Sequence, residues 1–189
     1  DVPEIEVDPP VQFGSEAYRK MIAGSLVSTG NNYRLKKVIE KCKRGEDVTI
    51  AYIGGSITQG AGGKPIHTMC YAYRSYAAFC EMFSPCGGDN VHYVKAGVGG
   101  TPSELGMVRY DRDVTKDGEI EPDLVVIEFA VNDEGDETEG VSFESLVMKI
   151  LQAKQAPAVL LNFAVFMSDW NLQDRLQPIG ERYELPMVS

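Results

Sequence analysis

Four apolar runs of strand length, at 48–53, 91–96, 124–129 and 158–166, limit what this chain can become. Most of them, such as "LVVIEF" at 124–129, are continuous rather than alternating. A continuous run suits a strand covered on both faces. Helix-like stretches lie between them. In "YRLKKVIEKCKR" (33–44), Leu35, Val38, Ile39 and Cys42 recur at the i, i+3, i+4, i+7 spacing of an amphipathic helix, with Asn31 or Asn32 to cap its start and Gly45 to end it. Further helices are expected at 69–83, at 142–154 with Ser142 as N-cap, and at 171–183, shortened by Pro178 and Gly180. A short helix can follow Thr101, and "MVS" at 187–189 makes a fifth, short strand. Strands alternating with helices predict an α/β chain: a three-layer α/β/α sandwich around a central parallel sheet. The 189 residues suffice for one domain with a sizeable core. Residues 1–14 carry prolines and acidic groups without helical periodicity, and residues 1–29 are read as an arm packed on a domain spanning 30–189.

The formal net charge of −10 argues against a nucleic-acid backbone or an anionic membrane as partner. No apolar run approaches the roughly 20 residues of a membrane span. Cys42, Cys70, Cys80 and Cys86 form no CxxC pair, and only His67 and His92 could join them. They are expected to be free thiols rather than metal ligands, and no metal or cofactor is expected. Free thiols favour a cytoplasmic setting. The chain begins at Asp1 rather than Met, so a leader removed from a secreted protein is the other reading.

The first apolar run stops at "GGSITQG" (54–60). Ligands of open α/β sheets sit beyond the carboxyl ends of strands, so this turn is placed for chemistry. It is not a phosphate-binding P-loop, because Ala61 stands where the lysine belongs. "GVGGTP" (97–102) has Pro102 in place of the last glycine of a dinucleotide fingerprint. The GxSxG nucleophile elbow fails too, since Thr58 replaces its closing glycine. Glycines before Ser56 still allow a sharp turn that exposes its hydroxyl. "KAGVGGTPS" (95–103) and "IEFAVND" (127–133) end two further strands with flexible backbone N–H groups and a carboxamide. A nucleophile with several donors is what acyl transfer from an ester requires.

These three stretches resemble the blocks of the SGNH hydrolases, also called GDSL-type esterases. "GGSIT" is similar to their serine block, with Gly55 where aspartate is common; "AGVGGTPS" to the glycine block; and "AVND" to the GxND block, with Ala130 for glycine. The resemblance covers roughly residues 30–189 and is greatest to bacterial carbohydrate esterases that deacetylate plant polysaccharides. It implies the flavodoxin-like SGNH fold and an acyl-enzyme mechanism. Ser56 would be the nucleophile, with its own N–H, the Gly100 N–H and the Asn132 side chain forming the oxyanion hole. Gly99 is the alternative donor if the register differs by one. Gly99, Thr101, His67 and Trp170 are candidate substrate-contacting residues. Asp133 is expected to organise its loop, and Arg109, Arg112 and the acidic run 134–139 to lie on the surface.

The family also carries an Asp-x-x-His block near its C-terminus, whose histidine is the base. No such block is present in these 189 residues. His92 is expected at the wrong end of its strand, and His67 at most at the rim. The sequence therefore reads as the N-terminal portion of an esterase domain, ending after the fifth strand. A C-terminal fragment or a second chain would supply the histidine, and acylated carbohydrate would be the substrate. The rival reading is a saccharide-binding module or inactive fragment using the same cleft.

Overall fold

A computed structural model describes residues 14–189. Helix α1 (Glu16–Ser25) leads into strand β1 (Leu26–Ser28), then α2 (Tyr33–Lys43) and β2 (Val48–Gly54). The one-turn α3 (Ser56–Gln59) and α4 (Tyr71–Phe83) precede β3 (Val91–Gly97). After α5 (Ser103–Tyr110) come a π-helical turn, β4 (Leu124–Glu128), α6 (Val141–Leu151), β5 (Ala158–Asn162), α7 (Gln173–Arg182) and β6 (Met187–Val188). The sheet order is β1-β6-β5-β4-β2-β3. All pairings are parallel except β1 with β6. Without β1, the order is that of flavodoxin-like doubly wound sheets.

The continuous apolar runs divide between two cores. On β4, Val125 and Ile127 join Phe143, Leu146 and Ile150 of α6, while Leu124 and Val126 join Val38 and Cys42 of α2. Both faces exclude water, so each buried Val, Leu, Ile or Phe contributes roughly 1.5–3 kcal/mol. An apolar groove of about 330 Å³ remains on the α2/α4 face, running past Tyr71, Phe79, Val126, Leu160 and Val188.

Register sets the site. Gly54 pairs with Gly97 on one side and with Glu128 on the other, so three strands end at one level. β2 lies between β3 and β4, the point where the winding reverses, and this is where such sheets open a crevice.

Several expectations need correction. The edge strand β1 is a sixth strand, formed because Leu26 and Ser28 pair with the short β6. Residues 16–28 of the expected arm of 1–29 form α1 and β1, and what is expected of residues 1–13 lies outside the described residues. The fourth strand ends at Asn162, and 163–172 is loop. Helix α6 starts from Gly140, because the Asp136 carboxylate and Thr138 hydroxyl take up the N–H groups of Gly140 and Ser142. Helix α7 continues through Pro178. Gly45 does end α2, with φ of +77°, and all four cysteines are free.

Candidate active site

Ser56 is the first residue of α3 and half-buried. Its N–H is therefore one of the donors a helix start leaves without an internal partner. The glycines before it serve close approach, since neither has positive φ. A Cβ on Gly54 would lie 2.1 Å from Thr58 Oγ1 and 2.4 Å from the Glu128 carbonyl oxygen. A Cβ on Gly55 would lie 1.9 Å from Asn132 Oδ1. Any side chain at position 55 would displace the Asn132 carboxamide from the serine turn.

The glycine loop closes on the same turn. The Val98 N–H donates to the Gly54 carbonyl at 3.1 Å. A Cβ on Gly99 would stand 3.7 Å from Ser56 Cβ. The Gly99 N–H donates to Gln59 Oε1 at 2.9 Å. Gly100, at φ of +72°, has open space around it. Thr101 turns its hydroxyl back to the Val98 carbonyl at 2.7 Å.

Asn132 follows β4 in a loop whose Asn132 and Asp133 N–H groups both donate to the Phe129 carbonyl. Its Oδ1 is buried without a hydrogen-bond partner. Asp133 is fully buried, and its carboxylate accepts the Ser103 N–H, the first of α5, at 2.7 Å. It thus ties the Asn132 loop to the glycine loop, the organising role expected of it. Burial pushes its pKa up to about 6, against the lowering effect of the Ser103 N–H.

Sequence reasoning missed three contributors. Arg109 is not on the surface. It is 8% exposed and donates to the Ala96 carbonyl at 2.7 Å, the Gly54 carbonyl at 2.9 Å and Asp113 at 3.0 Å. It joins the ends of β2 and β3, a role invisible until strand order is known. Glu128, fully buried, shares a hydrogen bond of 3.2 Å with Thr58 Oγ1. A carboxylate inside an apolar run was the signal that could have found it. Gln59, which fixes Gly99, carries no such signal. Asp136, also expected on the surface, is buried and accepts from Thr138 and Gly140, whereas Arg112 is exposed.

Ser56, Gly99 and Asn132 are thus brought together. Trp170 lies on the loop after β5 and stacks on Phe166, with ring centroids 5.9 Å apart and planes at 16°. That loop is anchored near the site, where the Leu172 N–H donates to the Ala130 carbonyl at 2.8 Å. His67 is exposed in the loop between α3 and α4. His92 is the second residue of β3 and faces Asp47 at 3.1 Å; it pairs with Thr49, five register positions from the level of Gly54. It belongs to the opposite edge of the sheet. Among the described residues, no group of three His, Cys, Asp or Glu side chains is placed to hold a metal ion.

Serine turn, glycine loop and Asn-Asp loop on a flavodoxin-like sheet are the marks of an SGNH hydrolase fold. Residues 52–185 match the GDSL-like lipase/acylhydrolase family, and the chain belongs to it. Among solved structures it is similar to a two-domain esterase active on acetylated mannans, co-crystallised with mannopentaose. The two share 39% identity and a TM-score of 0.80 over 88% of this chain and 44% of that one. The chain thus spans less than half the length of that esterase. It is similar in fold to a catalytic mutant of an acetylxylan esterase from Geobacillus stearothermophilus, at 18% identity and TM-score 0.55, covering 77% of each chain. An α/β hydrolase from the metagenome of Lake Arreo, Spain, shares the fold at 17% identity and TM-score 0.54, over 78% of this chain and 79% of that one. No curated protein matches the chain.

Proposed function

We propose that this chain belongs to a serine esterase that removes small acyl groups, acetyl above all, from carbohydrate. The contact of the Asn132 carboxamide with Gly55, next to Ser56, carries the reading. The carboxamide that follows one strand and the serine turn that follows another are neighbours there. The relative active on acetylated mannans supports the substrate class.

Ser56 Oγ attacks the acyl carbon while its proton passes to a base. The carbonyl π electrons move to oxygen, and the oxyanion is held by the Ser56 N–H, the Gly100 N–H and Asn132 Nδ2. Gly100 is preferred over Gly99 because the Gly99 N–H is already engaged by Gln59. Collapse expels the sugar oxygen, which takes the proton, and water hydrolyses the acyl-serine by the same path in reverse. Gly99, Thr101, His67 and Trp170 are proposed to contact the sugar, the Phe166–Trp170 stack offering an aromatic surface.

Neither His67 nor His92 suits the base. We assign it to a histidine from a segment or second chain outside these 189 residues, for which the groove on the α2/α4 face offers an apolar seat. The test is deacetylation of acetylated manno- or xylo-oligosaccharides by the full-length protein. Ser56→Ala is expected to abolish turnover with the fold intact. Retained turnover overturns the reading.

A further inference from the structure

Glu128 is a buried carboxyl group that the mechanism leaves idle, although it lies directly under the serine turn. We infer that Glu128 is a positioning residue for Ser56, acting in its neutral form through a hydrogen-bonded chain, Glu128–Thr58–Tyr71, that fixes helix α3; this rests on the reading of Ser56 as nucleophile. Glu128 Oε2 lies 3.2 Å from Thr58 Oγ1, and Thr58 Oγ1 lies 2.9 Å from the Tyr71 hydroxyl. Thr58 is one of the four residues of α3 and is fully buried. Gly54 leaves just enough room for its hydroxyl. A one-turn helix has little internal hydrogen bonding to define it. The direction of the Ser56 N–H therefore depends on what holds Thr58 and Gln59.

The proton inventory favours a neutral Glu128. Oε1 is buried and has no partner. As half of a carboxylate it would leave charge uncompensated in the interior; as the carbonyl oxygen of a carboxylic acid it leaves only a dipole. With the acid neutral, Oε2–H donates to Thr58, and Thr58 donates to Tyr71. With the acid ionised, both donors reverse: Tyr71 donates to Thr58 and Thr58 to the carboxylate. One proton thus sets the polarity of the chain that grips α3. The groups that bear on Glu128 are Asp133 in the loop after β4, Tyr71 on α4 and, beyond it, Tyr52 on β2. Arg109 grips the Gly54 carbonyl from the α5 side. Burial first, with the Asp133 charge adding to it against the Thr58 hydrogen bond, pushes the Glu128 pKa up to about 7.

Amide NMR of the full-length protein reads this without requiring activity. The Ser56, Thr58 and Gln59 amide signals are expected to titrate together with a midpoint near pH 7. Glu128→Gln, neutral at every pH and still a donor to Thr58, should remove that midpoint while leaving the spectrum folded. Shifts from Asp133, whose pKa lies at about 6, would persist in the variant at that lower midpoint. In the full-length enzyme, the fluorophosphonate labelling rate of Ser56 should fall above pH 7 in the wild type. Glu128→Gln should keep most of the rate and lose that fall. Absence of the midpoint in the wild type, or its survival in Glu128→Gln, overturns the inference. Failure of Ser56 to react in any variant would instead count against the esterase reading, with the amide titration still deciding the role of Glu128.

Discussion

Gly55 and the Asn132 carboxamide occupy adjoining space, and a side chain cannot be added at position 55 without moving Asn132. Gly55→Ala would place a methyl 1.9 Å from Asn132 Oδ1. Overpacking of this kind typically costs about 1–3 kcal/mol. The expected result is a lowered thermal midpoint together with a large loss of kcat, because the donor is pushed off its target. Gly24→Ala, in helix α1 where a Cβ meets nothing within 4 Å, is the control and should lower neither. Asn132→Ala removes the donor alone. It should lower kcat by roughly 100- to 1,000-fold with KM little changed, as loss of one oxyanion donor does. A loss confined to KM would mean that Asn132 binds ground-state substrate. Ser56 and Asn132 were legible in the sequence because each ends an apolar run in a short polar turn. Thr58, Gln59 and Arg109 were not, since their partners Glu128, Gly99, Ala96 and Gly54 lie on other strands and become neighbours only through register.

The strand ends are held together by side chains that span them. Arg109, from α5, binds the carbonyls of Gly54 on β2 and Ala96 on β3 and pairs with the half-buried Asp113. Arg109→Met fills similar volume but leaves two buried carbonyls without their donor, while Asp113 keeps Arg112 as its remaining cation. The expected destabilisation is about 2–4 kcal/mol, measured by urea unfolding. Arg109→Lys should recover part of it, lacking the fork that reaches both carbonyls. No loss in Arg109→Met would show that the glycine loop and the serine turn are joined without it. At this level the strands and helices were readable from continuous runs and 3.6-residue stripes, as at α2. The limits were set by tertiary context. Helix α7 passes through Pro178, where local propensity alone predicts an interruption. The edge strand β1 is too short to announce itself and forms through its pairing with β6.

Two buried carboxyl groups with raised pKa values give the protein a defined response to pH. Burial lifts Glu128 from 4.5 to about 7 and Asp133 from 3.8 to about 6. The folded state therefore holds protons that the unfolded chain releases earlier. This contribution to stability is complete below about pH 4 and is lost as pH rises to about 7. Other groups impose their own trend, so the difference between variants is the informative quantity. The wild type is expected to lose thermal stability relative to Glu128→Gln between pH 5 and 7.5, by on the order of 5 °C. Parallel curves for the two proteins would contradict it. The central claim, that this sheet edge presents Ser56 as an acyl-accepting nucleophile, is tested most directly by treating the full-length protein with a fluorophosphonate and mapping the adduct by peptide mass spectrometry. A single adduct on Ser56, absent from Ser56→Ala and matched by loss of deacetylation, is the expected result; an unmodified Ser56 in protein that still deacetylates carbohydrate would contradict it.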